Sequence, residues 1–140
     1  MKHANFVFLT ITLLVLEIYA LDPHQKCTKS DQNISRDCVL HCEYKYYGFA
    51  DDQFNINKAH RNVLRNVLLK YHVITNDQVE KIDEHLEKCA KEANPKAQSA
   101  EKDKCRRVLK YSLCVVNDSK LFTYNTYMKA LIRFGHTFNL

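Results

Sequence analysis

Three groups of cationic side chains recur at helical spacing: Lys58, Arg61 and Arg65; Lys102, Arg106 and Lys110, with Arg107 beside them; and Lys129 with Arg133. Steps of three or four residues set side chains on one helix face about 5–6 Å apart. A row of ammonium and guanidinium groups at that pitch matches the line of negative charge along a sulfated polysaccharide or a polyphosphate. The chemistry is multidentate ion pairing, with counterion release and a steep dependence on salt. The formal net charge is +5, and it is unevenly spread: Asp77 to Glu101 holds seven acids and four bases, whereas Lys102 to Leu140 holds eight bases and two acids. No acid lies between Asp52 and Asp77, so nothing within the helix that carries Lys58, Arg61, Arg65 and His72 neutralises its polar face. Taken singly, each stripe also fits an ordinary solvated surface.

Catalytic chemistry finds no footing. With two glycines in the whole chain there is no serine-hydrolase elbow and no phosphate-cradling loop. A secreted phospholipase would need a His-Asp pair and a glycine-rich calcium loop; here His41 is followed by Cys42. His24, His41, His60, His72, His85 and His136 are scattered without metal-ligand spacing and read as surface or capping residues. No cofactor motif occurs, and no nucleic-acid-binding motif accompanies the positive charge. The expectation is a non-enzymatic protein without metal or cofactor.

The other reactive residues are Cys27, Cys38, Cys42, Cys89, Cys105 and Cys114. Ahead of them, Met1-Lys2-His3, an apolar run from Asn5 to Leu16 and the small Ala20 follow the order of a secretory signal peptide, expected over residues 1–20. The run is too short for a membrane span, which needs about 20 apolar residues. What remains, 21–140, suits one domain. An even number of cysteines in a small secreted domain implies three disulfides, and spacing alone leaves all their pairings open. Zinc would require repeated short spacings, and only Cys38 and Cys42 are close.

The scaffold that must position these groups reads as all-α. Two glycines and two prolines, without a long alternating run, supply neither the turns nor the strands of a sheet. Lys26 to Asn33 is expected as a brief helix or turn. Ser35 to Tyr47 follows as a helix capped by Ser35 and stopped by Gly48, with Cys38 and Cys42 one turn apart on a single face. Asn57 to Tyr71 sets Val63, Leu64, Val67, Leu68 and Tyr71 in an apolar stripe. Thr75 to Gln78 fits a capping box. The helix beyond it buries Val79, Ile82, Leu86, Cys89 or Ala90, and Ala93, and shows i,i+4 pairs of Asp77 with Lys81, Glu84 with Lys88 and Glu87 with Lys91. Asn94-Pro95 ends it. A helix from Glu101 to Val116 is expected to bury Cys105, Val108, Leu109, Ser112 and Val116. A last one from Tyr124 to Phe134 is expected to bury Tyr124 or Tyr127, Met128, Leu131 and Ile132.

Three residues between Cys38 and Cys42, eight between Cys105 and Cys114, and an all-helical secreted domain of this size together resemble the insect odorant-binding-protein superfamily. That resemblance implies pairing of the first cysteine with the third, the second with the fifth and the fourth with the sixth: Cys27 with Cys42, Cys38 with Cys105, and Cys89 with Cys114. Only ten residues separate Cys27 from Cys38, less than in antennal members, which shortens the helix that helps wall their cavity. The run Cys42-Glu-Tyr-Lys-Tyr-Tyr-Gly-Phe-Ala-Asp-Asp and the stretch Val115-Val-Asn-Asp-Ser-Lys-Leu are similar to the small odorant-binding-like salivary proteins of blood-feeding sand flies. For that family the resemblance implies a salivary anticoagulant that impairs haemostasis by binding heparin-like polymers and other polyanionic surfaces. Contact-pathway activation is thereby blocked, and coagulation zymogens are affected indirectly.

The rival reading is a hydrophobic cavity for a small host mediator, an eicosanoid or a biogenic amine, lined by Tyr44, Tyr46, Tyr47, Phe49, Phe54, Tyr111, Phe122, Tyr124 and Tyr127. The same aromatics would serve equally as core. Asn33-Ile-Ser35 and Asn117-Asp-Ser119 match the N-glycosylation acceptor pattern. A monomer is expected.

Overall fold

In a computed structural model, residues 22–29, 35–93, 101–117 and 119–138 are described. The signal-peptide segment 1–20, the sequon at Asn33 and the side chain of Lys102 lie outside the described residues. Among the described residues six helices carry the fold: α1 (Pro23–Lys29), α2 (Arg36–Tyr47), α3 (Lys58–Lys70), α4 (Val79–Ala93), α5 (Glu101–Asn117) and α6 (Tyr124–Gly135). Short 3-10 turns at Asn76–Gln78 and His136–Phe138 lead into α4 and extend α6. No strand occurs among the described residues.

Local chemistry sets the helix ends. Asn57 starts α3, its Oδ1 accepting from the N–H groups of Ala59 (2.9 Å) and His60 (3.2 Å) while its own N–H donates to His60 Nδ1 at 3.1 Å. Before α4, the Thr75 N–H donates to Gln78 Oε1 at 2.9 Å, the back-reach of the expected capping box. Thr123 and Thr126 exchange equivalent bonds at the start of α6. Ser35 precedes α2 in extended backbone without a side-chain capping bond, so its expected cap is not made. Gly48 ends α2 at φ 73°, the left-handed region a side chain would disfavour, and its N–H donates to the Lys45 carbonyl.

Helix α2 is the cross-linked centre. Cys42 joins Cys27 on α1 (Cα separation 5.7 Å), Cys38 joins Cys105 on α5 (4.8 Å), and Cys89 of α4 joins Cys114 of α5 (5.5 Å). This is the pairing the family resemblance implies. Around these bridges lies one core: Leu64, Val67 and Leu68 of α3, Ile82 and Leu86 of α4, Val108, Tyr111 and Val115 of α5, and Tyr127 and Leu131 of α6. Tyr44 and Tyr127, both fully buried, join α2 to α6 through their hydroxyls at 3.0 Å. An aromatic cluster of Tyr47, Phe49, Phe134 and Phe138 closes that side.

Several expected core positions shift by a fraction of a turn. Val63 is exposed and Tyr71 half-buried, because α3 turns Leu64, Val67 and Leu68 inward. On α5 the buried face runs through Cys105, Val108, Tyr111, Val115 and Val116, with Leu109 and Ser112 at its margin. On α6, Tyr124 (61% exposed) and Ile132 (54%) face outward while Tyr127 and Ala130 are buried. The i,i+4 pairs on α4 are also not all those expected. Lys91 pairs with Glu87 at 2.6 Å, but Lys88 turns to Glu92 at 3.8 Å instead of Glu84.

Candidate anion-binding faces

The three basic stripes meet different surroundings. On α3, Lys58 is exposed, Arg61 and Arg65 are half-buried, and across a groove stands the acidic face of α4 with Glu80, Asp83, Glu84 and Glu87. Arg65 Nη1 donates to Asp83 Oδ2 at 2.8 Å, and its Nε and Nη2 both reach Asn66 Oδ1 at 3.3 Å. Lys91, through a hydrogen bond and its charge, holds the Glu87 carboxyl below its ordinary range, with Arg61 and Lys58 adding to the effect. The stripe that nothing within its own helix neutralises is therefore balanced by the neighbouring one. A polyanion approaching this groove meets carboxylates beside the bases.

On α5, Arg106 and Lys110 are exposed one turn apart, Lys104 is half-buried, and Arg107 is half-buried with its Nε sealed from solvent. On α6, Lys129 and Arg133 are exposed and border a shallow depression with His72 and Tyr71 from the end of α3. Lys70 stands beside them, its Nζ 5.5 Å from the centre of the Tyr71 ring. No carboxylate lines this depression, and among the described residues no ion pair engages Lys70, Lys110, Lys129 or Arg133. Lys129, Arg133 and His72 thus border one depression, with Lys70 against its Tyr71 wall. Lys70 was no part of any stripe in the sequence, and His72 was grouped there with Lys58, Arg61 and Arg65 on the polar face of α3. Only the packing of α6 across α3 joins them to Lys129 and Arg133.

His72 sits in this patch at φ 57°, in the left-handed region that glycine fills most easily. Its N–H donates to the Leu69 carbonyl at 3.0 Å, so the residue both closes α3 and presents an imidazole beside the α6 cations.

The remaining histidines serve structure. His60 caps α3, and His85 Nε2 meets the Val115 carbonyl at 3.0 Å. His41 stacks on Phe54 with ring centres 3.7 Å apart and donates from Nε2 to the Asp51 carbonyl at 2.9 Å. Burial lowers its pKa against the opposing pull of that bond, so the ring is held neutral. The nine aromatics offered as cavity lining are for the most part core: Tyr44, Phe49, Tyr111 and Tyr127 are wholly buried, Tyr46 and Tyr124 are exposed, and Tyr47 borders an apolar cavity. Asn117 is exposed at the end of α5. No helix among the described residues is long and apolar enough to cross a membrane.

No family model matches the chain. It is similar to Ayaconin of Lutzomyia ayacuchensis, with 30% identity over 132 residues that cover 91% of this chain and 90% of that protein. It is also similar along its full length to two proteins of Phlebotomus duboscqi, Salivary protein 15b at 29% identity and Salivary protein 15a at 30%. The six-cysteine helical frame extends over the region that these alignments cover. The chain belongs to this family of sand fly salivary proteins and is a secreted, extracellular product.

Proposed function

We propose that the protein is a salivary anticoagulant that binds sulfated polysaccharides and other polyanionic surfaces and thereby blocks contact activation. The observation that carries this reading is the carboxylate-free depression bordered by Lys129, Arg133 and His72, with Lys70 against its Tyr71 wall and exposed Arg106 and Lys110 on α5 as a further basic face. A polymer laid over such a patch exchanges condensed counterions for fixed ammonium and guanidinium groups. The protein then acts by occupancy. It covers the polymer on which contact-phase zymogens would assemble and needs no group of its own at a protease active site. Membership in a family of sand fly salivary proteins supports the assignment.

Calorimetric titration of the refolded protein with heparin or dextran sulfate at several salt concentrations tests it. Log affinity should fall linearly with log salt, and Lys129→Glu with Arg133→Glu should weaken binding and flatten that slope. Absence of binding at physiological salt would rule out the mechanism.

A further inference from the structure

Where α1, α2 and α6 converge there is a half-open cavity of about 200 Å³, on the side of α6 opposite its packing against α3. Tyr47, Met128, Leu131 and Ile132 make its walls, and these are predominantly apolar. Two carboxylates border it, Asp22 ahead of α1 and Glu43 on α2, together with the imidazoles of His24 on α1 and His136 beyond α6. Glu43 is mostly buried, its side chain 17% exposed, and one of its oxygens meets His24 Nδ1 at 2.5 Å. A carboxylate offers about four acceptor sites, so that contact leaves room for a second donor. Asp22 accepts the Gln25 N–H at 2.8 Å and likewise keeps acceptor capacity.

From this juxtaposition we infer that the cavity is a binding site for a small organic cation, an aromatic ring on a short chain ending in a primary ammonium. Size limits the ring. A cavity of about 150 Å³ takes up benzene, so this one holds a single ring and a short tail but no fused polycycle or long acyl chain. Charge sets the tail. A carboxylate-bearing lipid would bring its anion against Glu43 and Asp22, whereas an ammonium there forms charge-assisted hydrogen bonds with both in a partly dry setting. The negative field at the site has an internal witness in Tyr47. Burial pushes its phenol well above the ordinary value, and Glu43 and then Asp22 push it further in the same direction. Space within the site also depends on Gly135, where an added Cβ would stand 3.1 Å from the Tyr47 hydroxyl.

This site is separate from the basic patch, so the two readings stand or fall independently. Three probes that each carry one phenyl ring on a two-carbon chain settle it by calorimetry: phenethylamine, 2-phenylethanol and 3-phenylpropionate. Phenethylamine should bind one to one, the alcohol more weakly, and the propionate at least about tenfold more weakly than the amine. Glu43→Gln with Asp22→Asn should cost the amine at least about tenfold, leave the alcohol little changed, and leave heparin binding intact. Both substitutions keep the side-chain shape and an acceptor for His24 or the Gln25 N–H, and far-UV circular dichroism checks that the variant is folded. Ligand-induced NMR shifts at the Met128 methyl and the Tyr47 ring should locate the bound probe. Equal affinity for amine and propionate, amine binding indifferent to the double substitution, or no binding of the amine would each overturn the assignment.

Discussion

Arg65 of α3 and Asp83 of α4 are joined at 2.8 Å, and this contact decides how one of the three basic stripes behaves. The guanidinium is mostly covered, its side chain 22% exposed, and it faces a helix whose groove side is acidic. Arg65→Ala should therefore change heparin affinity less than about twofold, since its charge is already met, and should cost about 0.5–1 kcal/mol of stability through the lost pair. Asp83→Asn should act in the opposite sense, freeing Arg65 and raising affinity. By contrast, Lys129→Glu with Arg133→Glu should cost at least about 1 kcal/mol of binding per cation, as for basic residues near an anionic surface. Calorimetry at fixed salt, paired with urea denaturation, checks all three.

His72 couples a backbone cost to a surface charge. A left-handed conformation costs a residue with a Cβ about 1–2 kcal/mol, part of which glycine gives back in unfolded-state entropy. His72→Gly should stabilise the protein by up to about 1 kcal/mol, while removing an imidazole donor from the patch and so weakening polyanion binding. A variant more stable and equally tight would remove His72 from the patch.

Much of this was legible in the chain. Residues that act through neighbours in sequence, such as the boundaries around Gly48, Asn57 and Thr75 and the buried stripe Ile82-Leu86-Ala90, follow from local rules. The bases of α3 were visible too, but their partner was not, because Asp83 lies 18 residues on and only the packing of α3 against α4 brings it alongside. Lys70 was missed, and His72 was grouped only with the bases of α3, for the same reason: both approach Lys129 and Arg133 across a helix contact that no spacing encodes. The inward faces of α5 and α6 were misjudged by a fraction of a turn. Tyr111 and Tyr127 are amphipathic side chains that could equally have faced water, and long-range contacts, the Tyr44 hydroxyl for Tyr127 among them, fix them inward.

Acidification should reveal His41. In the unfolded chain its imidazole titrates at the ordinary value of 6.5, while in the folded protein burial holds it lower. Above 6.5 both states are neutral there and the group contributes nothing. As pH falls below that value the unfolded chain takes up a proton that the folded one resists, so stability declines with a slope of at most about 1.4 kcal/mol per pH unit, and the decline levels off once the folded value is passed. His41→Gln, which keeps a donor for the Asp51 carbonyl, should flatten urea midpoints over this window. At lower pH a second loss should begin: burial pushes Asp51 up, but hydrogen bonds from Asn55 and Gln53 outweigh it and hold the carboxyl below the ordinary value, so its stabilisation disappears as it protonates.

The three disulfides should differ in weight. Cys38–Cys105 spans 67 residues and Cys27–Cys42 spans 15. By loop-closure entropy the first restrains the unfolded chain by about 4 kcal/mol and the second by about 3. Replacing the cysteines pairwise with alanine and comparing denaturation midpoints should give that order, with Cys38→Ala/Cys105→Ala the more damaging because it also unties α2 from α5.

The same bridges decide what a protease in blood can do to the molecule. A single cut in the chain anywhere between Cys27 and Cys114 leaves both fragments joined, because every peptide bond in that interval is spanned by at least one of the three disulfides. None of the three disulfides reaches past Cys114, so after a nick within 119–123 only non-covalent contacts hold α6. That helix is retained by the hydroxyl contact of Tyr127 with Tyr44 and by Phe134 and Phe138 against Tyr47, and it takes Lys129 and Arg133 with it when it goes. One short connector is thus the place where limited digestion could strip the basic patch from an otherwise covalently intact protein.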